Sequence, residues 1–248
     1  MRRGDAMKAR LTLVVLALSV GSVARGAERG RIFLNGTIDF GSIDFAQTRT
    51  VKEFAEEGKV ASQYSTGSGT GFELGLHWRF KGRLGAMASV SRVGRDGTAS
   101  VSASLPHPLY LDRPRQATTT KEGLSYRETT VHLDFVYAIP SGKRLELFLF
   151  AGPSFVDVKT DLVTKLNYRQ AYPYDEVSVS GVDLAEVGDS GFGFNLGGGL
   201  DYRFGKRFGL GAQVRFTTAS AKLAPPQGPT VDIDAGGFQA AMGLRVSF

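Results

Sequence analysis

Eight stretches of this chain alternate, residue by residue, between a bulky apolar face and a polar or small face that in most of them carries formal charge. Period two is the mark of a β-strand, and few architectures can satisfy two such unlike faces at once. At the C-terminus Phe238, Ala240, Met242, Leu244, Val246 and Phe248 share one face, against Gln239, Ala241, Gly243, Arg245 and Ser247 on the other. The same scheme runs through residues 32–40, 72–80, 84–91, 129–139, 192–204 and 208–216. Residues 145–158 are apolar on both faces at first, and their alternation slips near Pro153, which predicts a bulge or an end of regular pairing there.

The polar face decides which way the sheet is turned. It carries Asp39, Glu73, His77, Arg79, Glu128, His132, Asp134, Asp201, Arg203, Arg215 and Arg245. A soluble ligand-binding barrel would turn its apolar face inward and spread these charges over its surface. The opposite face is aromatic near the short connections, at Trp78, Phe80, Tyr137, Tyr202, Phe204, Phe208 and Phe248, which is where an interfacial girdle belongs. The charges are therefore expected to form a paired network in a lumen, and the apolar face to meet lipid. Strands of about ten to thirteen residues suffice for a tilted crossing.

Connections alternate in length as well. Residues 81–83, 141–143 and 205–206 are tight turns, whereas 41–68, 94–123, 159–190 and 221–234 read as long polar loops. An even strand number places both termini beside the tight turns, as in barrels with short periplasmic turns and long exterior loops. The expected fold is all-β: an eight-stranded antiparallel up-and-down transmembrane β-barrel.

Before the first strand, Arg2, Arg3, Lys8 and Arg10 precede an apolar run from Leu11 to Val20 and then small residues. This order predicts a secretory signal peptide over 1–26, cleaved after Ala24 or Gly26, with the barrel over 27–248. Its removal takes five of the 30 basic residues and one of the 24 acidic ones, so the net charge falls from +6 to +2. The high pI therefore gives no reason to expect a nucleic-acid partner.

The terminal strand ending in Phe248 resembles the C-terminal signature by which outer membrane proteins are recognised for insertion. Together with Phe150–Phe155 (Phe-Ala-Gly-Pro-Ser-Phe) and Gly197–Phe204 (Gly-Gly-Gly-Leu-Asp-Tyr-Arg-Phe), it makes residues 30–248 similar to the OmpA/OmpX-type small outer membrane β-barrel superfamily. The resemblance implies a Gram-negative outer membrane location. It also implies contact with outer membrane lipids and lipopolysaccharide, and recognition by the barrel assembly machinery through the last strand. With the chain ending at Phe248, the soluble peptidoglycan-binding domain of longer relatives is not expected.

An eight-stranded interior is just wide enough for side chains to fill. The leading expectation is a structural or surface-interaction role with a plugged polar lumen, and the competing one is a narrow porin-like channel. Inward glycines such as Gly75, Gly197, Gly199, Gly209 and Gly211 are expected to make room for the arginines. Some barrels of this size are lipid A enzymes with a His-x-Ser pair, but none of His77, His107 and His132 is followed by x-Ser. His132 and Asp134 share a face without a placed nucleophile, so no enzyme and no cofactor is expected. The dispersed histidines show no metal-ligand spacing, and Asp161, Asp175, Glu176, Asp183, Glu186 and Asp189 read as a solvated acidic loop, with loose surface calcium as the alternative, so no metal site is expected. The loops carry His107, Tyr110, Arg113, Arg115, Lys121, Tyr168, Tyr172 and Tyr174, a composition suited to an extracellular ligand.

Overall fold

The computed structural model describes residues 30–225 and 229–248, so the expected signal peptide lies outside the described residues. Ten antiparallel strands follow in order: β1 (Gly30–Phe40), β2 (Ile43–Glu53), β3 (Glu56–Thr66), β4 (Gly69–Lys81), β5 (Leu84–Leu105), β6 (Arg115–Pro140), β7 (Leu145–Arg169), β8 (Ser178–Arg203), β9 (Phe208–Leu223) and β10 (Val231–Ser247). Eight of them close a ring, β1-β4-β5-β6-β7-β8-β9-β10 and back to β1. The other two extend the first two barrel strands. β1 and β2 are broken apart at Gly41–Ser42, β3 and β4 at Gly67–Ser68, and β3 pairs with β5 above the point where β4 begins. The ring therefore has eight strands, and the count of ten reflects two breaks.

Register fixes the geometry of the ring. Starting from Gly30, the cross-strand partners run Trp78, Ala86, Phe135, Ala151, Leu196, Phe216 and Phe238, and return to β1 at Phe40. The walk comes back ten residues further along the same strand. That stagger over eight strands corresponds to a tilt of about 40°. The outward apolar positions, Phe208 to Phe216 on β9 and Phe192 to Phe204 on β8, then span roughly 20–30 Å of height, close to the hydrocarbon band of an outer membrane.

Pro153 does not produce a bulge. Leu133 and Asp134 are missing from the β6–β7 pairing opposite Gly152 and Pro153, but His132↔Ser154 and Phe135↔Ala151 keep the same register on either side. Proline lacks the donor the ladder needs, so a short gap opens while the alternation of faces continues.

The long loops expected beyond the band are mostly β-structure. β7 and β8 run for 25 and 26 residues, and only short segments such as 106–114 and 170–177 are left as connections at the far end. β9 shows why. Up to Phe216 its apolar residues point out and Gln213 and Arg215 point in; beyond Thr217 it is Ala219, Ala221 and Leu223 that are buried, and Thr218, Ser220 and Lys222 that are exposed. The alternation persists and its chemical sign inverts, as it must where the surroundings change from lipid to water. The inverted positions build one apolar core that includes Val101, Leu105, Tyr126, Val158, Leu162 and Ile233.

Candidate functional site: a layered lumen

The lumen is stacked in four layers from the short-turn end. At the mouth Arg31 and Arg79 both bond Glu146, and Arg31 also bonds Asp201, whose other oxygen accepts from Arg245 Nε at 2.8 Å. Next come the rings and side chains of Phe33, Met87, Val136, Phe148 and Phe150. The Arg245 and Arg215 guanidiniums lie over the Phe33 and Phe150 rings, at 4.9 Å and 5.1 Å from their centroids.

The third layer is centred on Glu73. Its carboxylate accepts from Arg215 at 2.7 Å, Gln213 at 2.7 Å and Asn35 at 2.8 Å, and Asn35 in turn accepts from Arg245. Arg215 reaches Asp134 at 3.5 Å, and Asp134 accepts from Asn195 at 2.8 Å. Asn195 also donates to Ser154, whose hydroxyl lies 2.9 Å from His132 Nδ1. One chain of contacts therefore runs from Arg31 to His132 across seven strands. Buried acids and bases in such a chain offset each other's desolvation.

Higher still, Asp39 bonds Gln239 at 2.8 Å and Arg95 at 3.2 Å. Arg95 also donates to the carbonyls of Gly41 and Gly67, the two points where the first barrel strands break. Beside it Glu128 accepts from Tyr126, Thr130 and the Gly236 amide. The apolar core closes the lumen above this level, and the β2–β3 hairpin folds over it onto β7. There Arg49 donates to the Thr164 carbonyl, Tyr64 accepts from the Val163 amide at 2.9 Å, and Tyr168 bonds Glu53.

The predicted lumen residues thus fall into distinct groups. Asp201, Arg245, Glu73, Arg215, Asp134 and His132 join in the continuous chain, and Arg79 enters it through Glu146 and Arg31. Asp39 and Glu128 belong to the separate upper cluster. His77 is buried near Phe148, with ring centroids 6.4 Å apart, and Arg203 sits at the mouth, donating to the Lys143 carbonyl. Ser154 and His132 do not make a catalytic pair with Asp134. His132 meets Ser154 through Nδ1, and the Asp134 carboxylate turns to Asn195 and Arg215.

Sequence reasoning missed Arg31, Glu146 and Arg95. Arg31 has the parity of Asn35 and Asp39 and needed only one more step of the alternation. Glu146 was hidden because Phe148 and Phe150 fill inward positions and blur the two faces. Arg95 fell in a stretch read as loop. The inward glycines also serve other partners than expected. A Cβ at Gly211 would lie 2.5 Å from Arg245, but one at Gly75, Gly197 or Gly199 would strike Phe33, Phe150 or Phe148, and one at Gly209 meets backbone.

The outward face carries aromatics at both edges. Trp78, Phe80, Tyr137, Tyr202, Phe204, Phe208 and Phe248 are exposed toward the short-turn end. Phe40, Phe72, Phe155, Phe192, Phe216 and Phe238 are exposed at the other edge of the apolar band, an edge the sequence reading did not single out. Among the described residues no three metal-ligating side chains converge.

A family profile agrees with this architecture. The profile of the family described as outer membrane protein beta-barrel domain matches residues 11–245. No curated protein matches the chain. Similar solved structures include the outer membrane protein OprG from Pseudomonas aeruginosa, at 14% identity over 90% of this chain and 98% of that one, with a TM-score of 0.46. They also include Ail, the attachment invasion locus protein of Yersinia pestis, at 11% identity over 89% and 99%, TM-score 0.39, and neisserial surface protein A, at 12% over 88% and 97%, TM-score 0.40. The protein resides in the bacterial outer membrane, and the chain belongs to the outer membrane protein β-barrel domain family.

Proposed function

We propose that the protein is a closed structural barrel that carries a rigid β-platform into the exterior, and that it does not conduct. The observation that carries this reading is the stacking of Val158, Leu162, Leu223 and Ile233, all buried, above the buried Glu73–Arg215 pair. A permeating ion would have to part those charges and then cross an apolar plug without water, which is unfavourable by many kcal/mol.

The platform reading rests on length and on the tips. A strand of 25 residues climbs roughly 60 Å at this tilt, about twice the height of the membrane band. At the tips Arg115 donates to the Pro106 carbonyl at 2.7 Å and to Gln170 at 2.7 Å, and His107 Nδ1 accepts from the Leu109 and Tyr110 amides. These two basic residues, expected on the surface, are buried: Arg115 ties the two tips together, and His107 holds its own tip in shape. Leu109, Tyr110, Leu111 and Tyr172 are left exposed on the fastened surface, the residue types that interfaces favour. The test is conductance of the purified protein in planar bilayers. No discrete openings are expected, and regular single-channel steps from the unmodified protein would refute the reading in favour of a narrow channel.

A further inference from the structure

The three short turns share a property that the barrel itself does not require. Lys81 and Arg83 flank Gly82, Lys143 and Arg144 follow Gly142, and Lys206 and Arg207 follow Gly205. Each turn carries two cations and no acid, and all six side chains belong to exposed residues. Among the described residues none of the six has an ion-pair partner, and the only hydrogen bond their side chains make runs from Arg83 to the Tyr137 hydroxyl at 3.4 Å. Among the described residues, the acidic side chains Glu146 and Asp201 at this end of the barrel are buried and already held by Arg31, Arg79 and Arg245.

Their depth is set by sequence adjacency. Lys81 follows Phe80, Arg83 precedes Leu84, Arg144 precedes Leu145 and Arg207 precedes Phe208, and Phe80, Leu84 and Phe208 are outward-facing and exposed. Turns this tight reach no further from the bilayer than the headgroup layer. We infer that this ring of six cations is a collar that binds the anionic phospholipid headgroups of the periplasmic leaflet. Cations on long flexible stems can hold phosphate oxygens while their methylenes lie against the apolar edge. The opposite end of the barrel gives a contrast. In the third outer hairpin the acids Asp161, Asp175, Glu176, Asp183, Glu186 and Asp189 outnumber the bases Lys159, Lys165 and Arg169, so its charge is net negative where that of the turns is purely positive.

Trp78 supplies a local probe. It is the one tryptophan of the chain, it faces outward near this rim, and its ring lies 6.3 Å from that of Phe248. The full barrel is reconstituted in vesicles, and quenching of Trp78 fluorescence by brominated phosphatidylglycerol is compared with quenching by brominated phosphatidylcholine. Each cation near an anionic surface is worth roughly a fivefold preference. Phosphatidylglycerol is therefore expected to be favoured about fivefold or more at low salt, and the preference is expected to collapse near 1 M salt, where screening reaches about 3 Å. Replacing all six with glutamine should bring the ratio to about one, whereas exchanging each Lys for Arg and each Arg for Lys should preserve it. Heat-dependent gel migration shows whether a variant is folded, and if the glutamine variant does not insert, the salt titration of the unmodified protein decides alone. Equal quenching by the two lipids, a preference that persists in high salt, or a preference retained without the six cations would each overturn the collar. So would cation-dependent retention on cell-wall sacculi in the absence of any lipid preference.

Discussion

Glu73 and Arg215 face each other across the middle of the lumen at 2.7 Å, with 0% and 1% of their surfaces exposed. Removing one member leaves the other charged and buried, which costs about 3–5 kcal/mol, whereas replacing both with apolar residues of similar volume is often neutral. Arg215→Ala is therefore expected to lower the urea midpoint of the folded barrel strongly, and Glu73→Leu with Arg215→Met to restore most of it. Additive losses in the double variant would show that the pair does not act as a unit.

Gly75 and Phe33 make a second matched pair, on the neighbouring strands β4 and β1. A Cβ at position 75 would sit 2.3 Å from Phe33 Cζ and 2.8 Å from the Ala88 carbonyl. Gly75→Ala is expected to destabilise by roughly 1–3 kcal/mol through overpacking. Phe33→Leu in the same chain should recover part of that loss by clearing the ring, with the backbone contact keeping the remainder. Equilibrium unfolding of the two single variants and the double one measures the coupling.

The membrane half of the fold was legible because lipid and lumen impose opposite chemistry on odd and even positions; Phe208 to Phe216 reads correctly from the letters alone. The half beyond the apolar band was not. Ala219, Ala221 and Leu223 alternate with Thr218, Ser220 and Lys222 as regularly as the residues below them, but with the opposite chemical sign, so a search for outward grease ends at Phe216 and reports a loop. Charge in the lumen was visible for the same reason as the strands. Its pairing was not, because Arg215 finds Glu73 only after a ten-residue stagger has been closed around eight strands.

The apolar core beyond the membrane band should unfold separately from the membrane ring. Leu162 is fully buried in it, and Leu162→Ala is expected to cost about 2–5 kcal/mol, all of it in the outer half. Limited proteolysis in vesicles is expected to cut the outer hairpins faster while a heat-modifiable membrane fragment survives. Faster loss of the whole barrel at once would mean that the two halves form a single cooperative unit.

Tyr168, at the outer end of β7, has its phenol pushed up to about 12 by burial, then by its hydrogen bond to Glu53 and the carboxylate's charge. The fold holds this proton more tightly than the unfolded chain does, whose tyrosine titrates near 10. The contribution is therefore full below about pH 10 and is lost as pH rises toward 12. Protease cutting at the β2–β3 turn, Phe54–Ala55, is expected to accelerate over that window. In Tyr168→Phe, cutting should be faster at neutral pH and should lose this pH step.

Arg95 bears on the same hairpin from its other end. One guanidinium bonds the carbonyls of Gly41 and Gly67 at 3.1 Å and 3.3 Å and the Asp39 carboxylate at 3.2 Å, so it ties together the two points where the first barrel strands break and the hairpin folds over the far end of the lumen. A charged donor to a buried carbonyl is worth about 1.5–3 kcal/mol, and the planar fork serves several acceptors at once in a way that a lysine ammonium does not. Arg95→Lys should keep the charge opposite Asp39 and still loosen the hairpin; Arg95→Ala should loosen it further and leave Asp39 with Gln239 but without a cation. Hydrogen exchange of the β2 and β3 amides is the appropriate measurement, because it resolves opening of the hairpin from opening of the ring. Protection is expected to fall on Ile43–Glu53 and Glu56–Thr66 while β9 and β10 remain protected. Unchanged exchange in β2 and β3 in both variants would mean that the contacts with β7, through Arg49, Tyr64 and Tyr168, hold the hairpin down without Arg95.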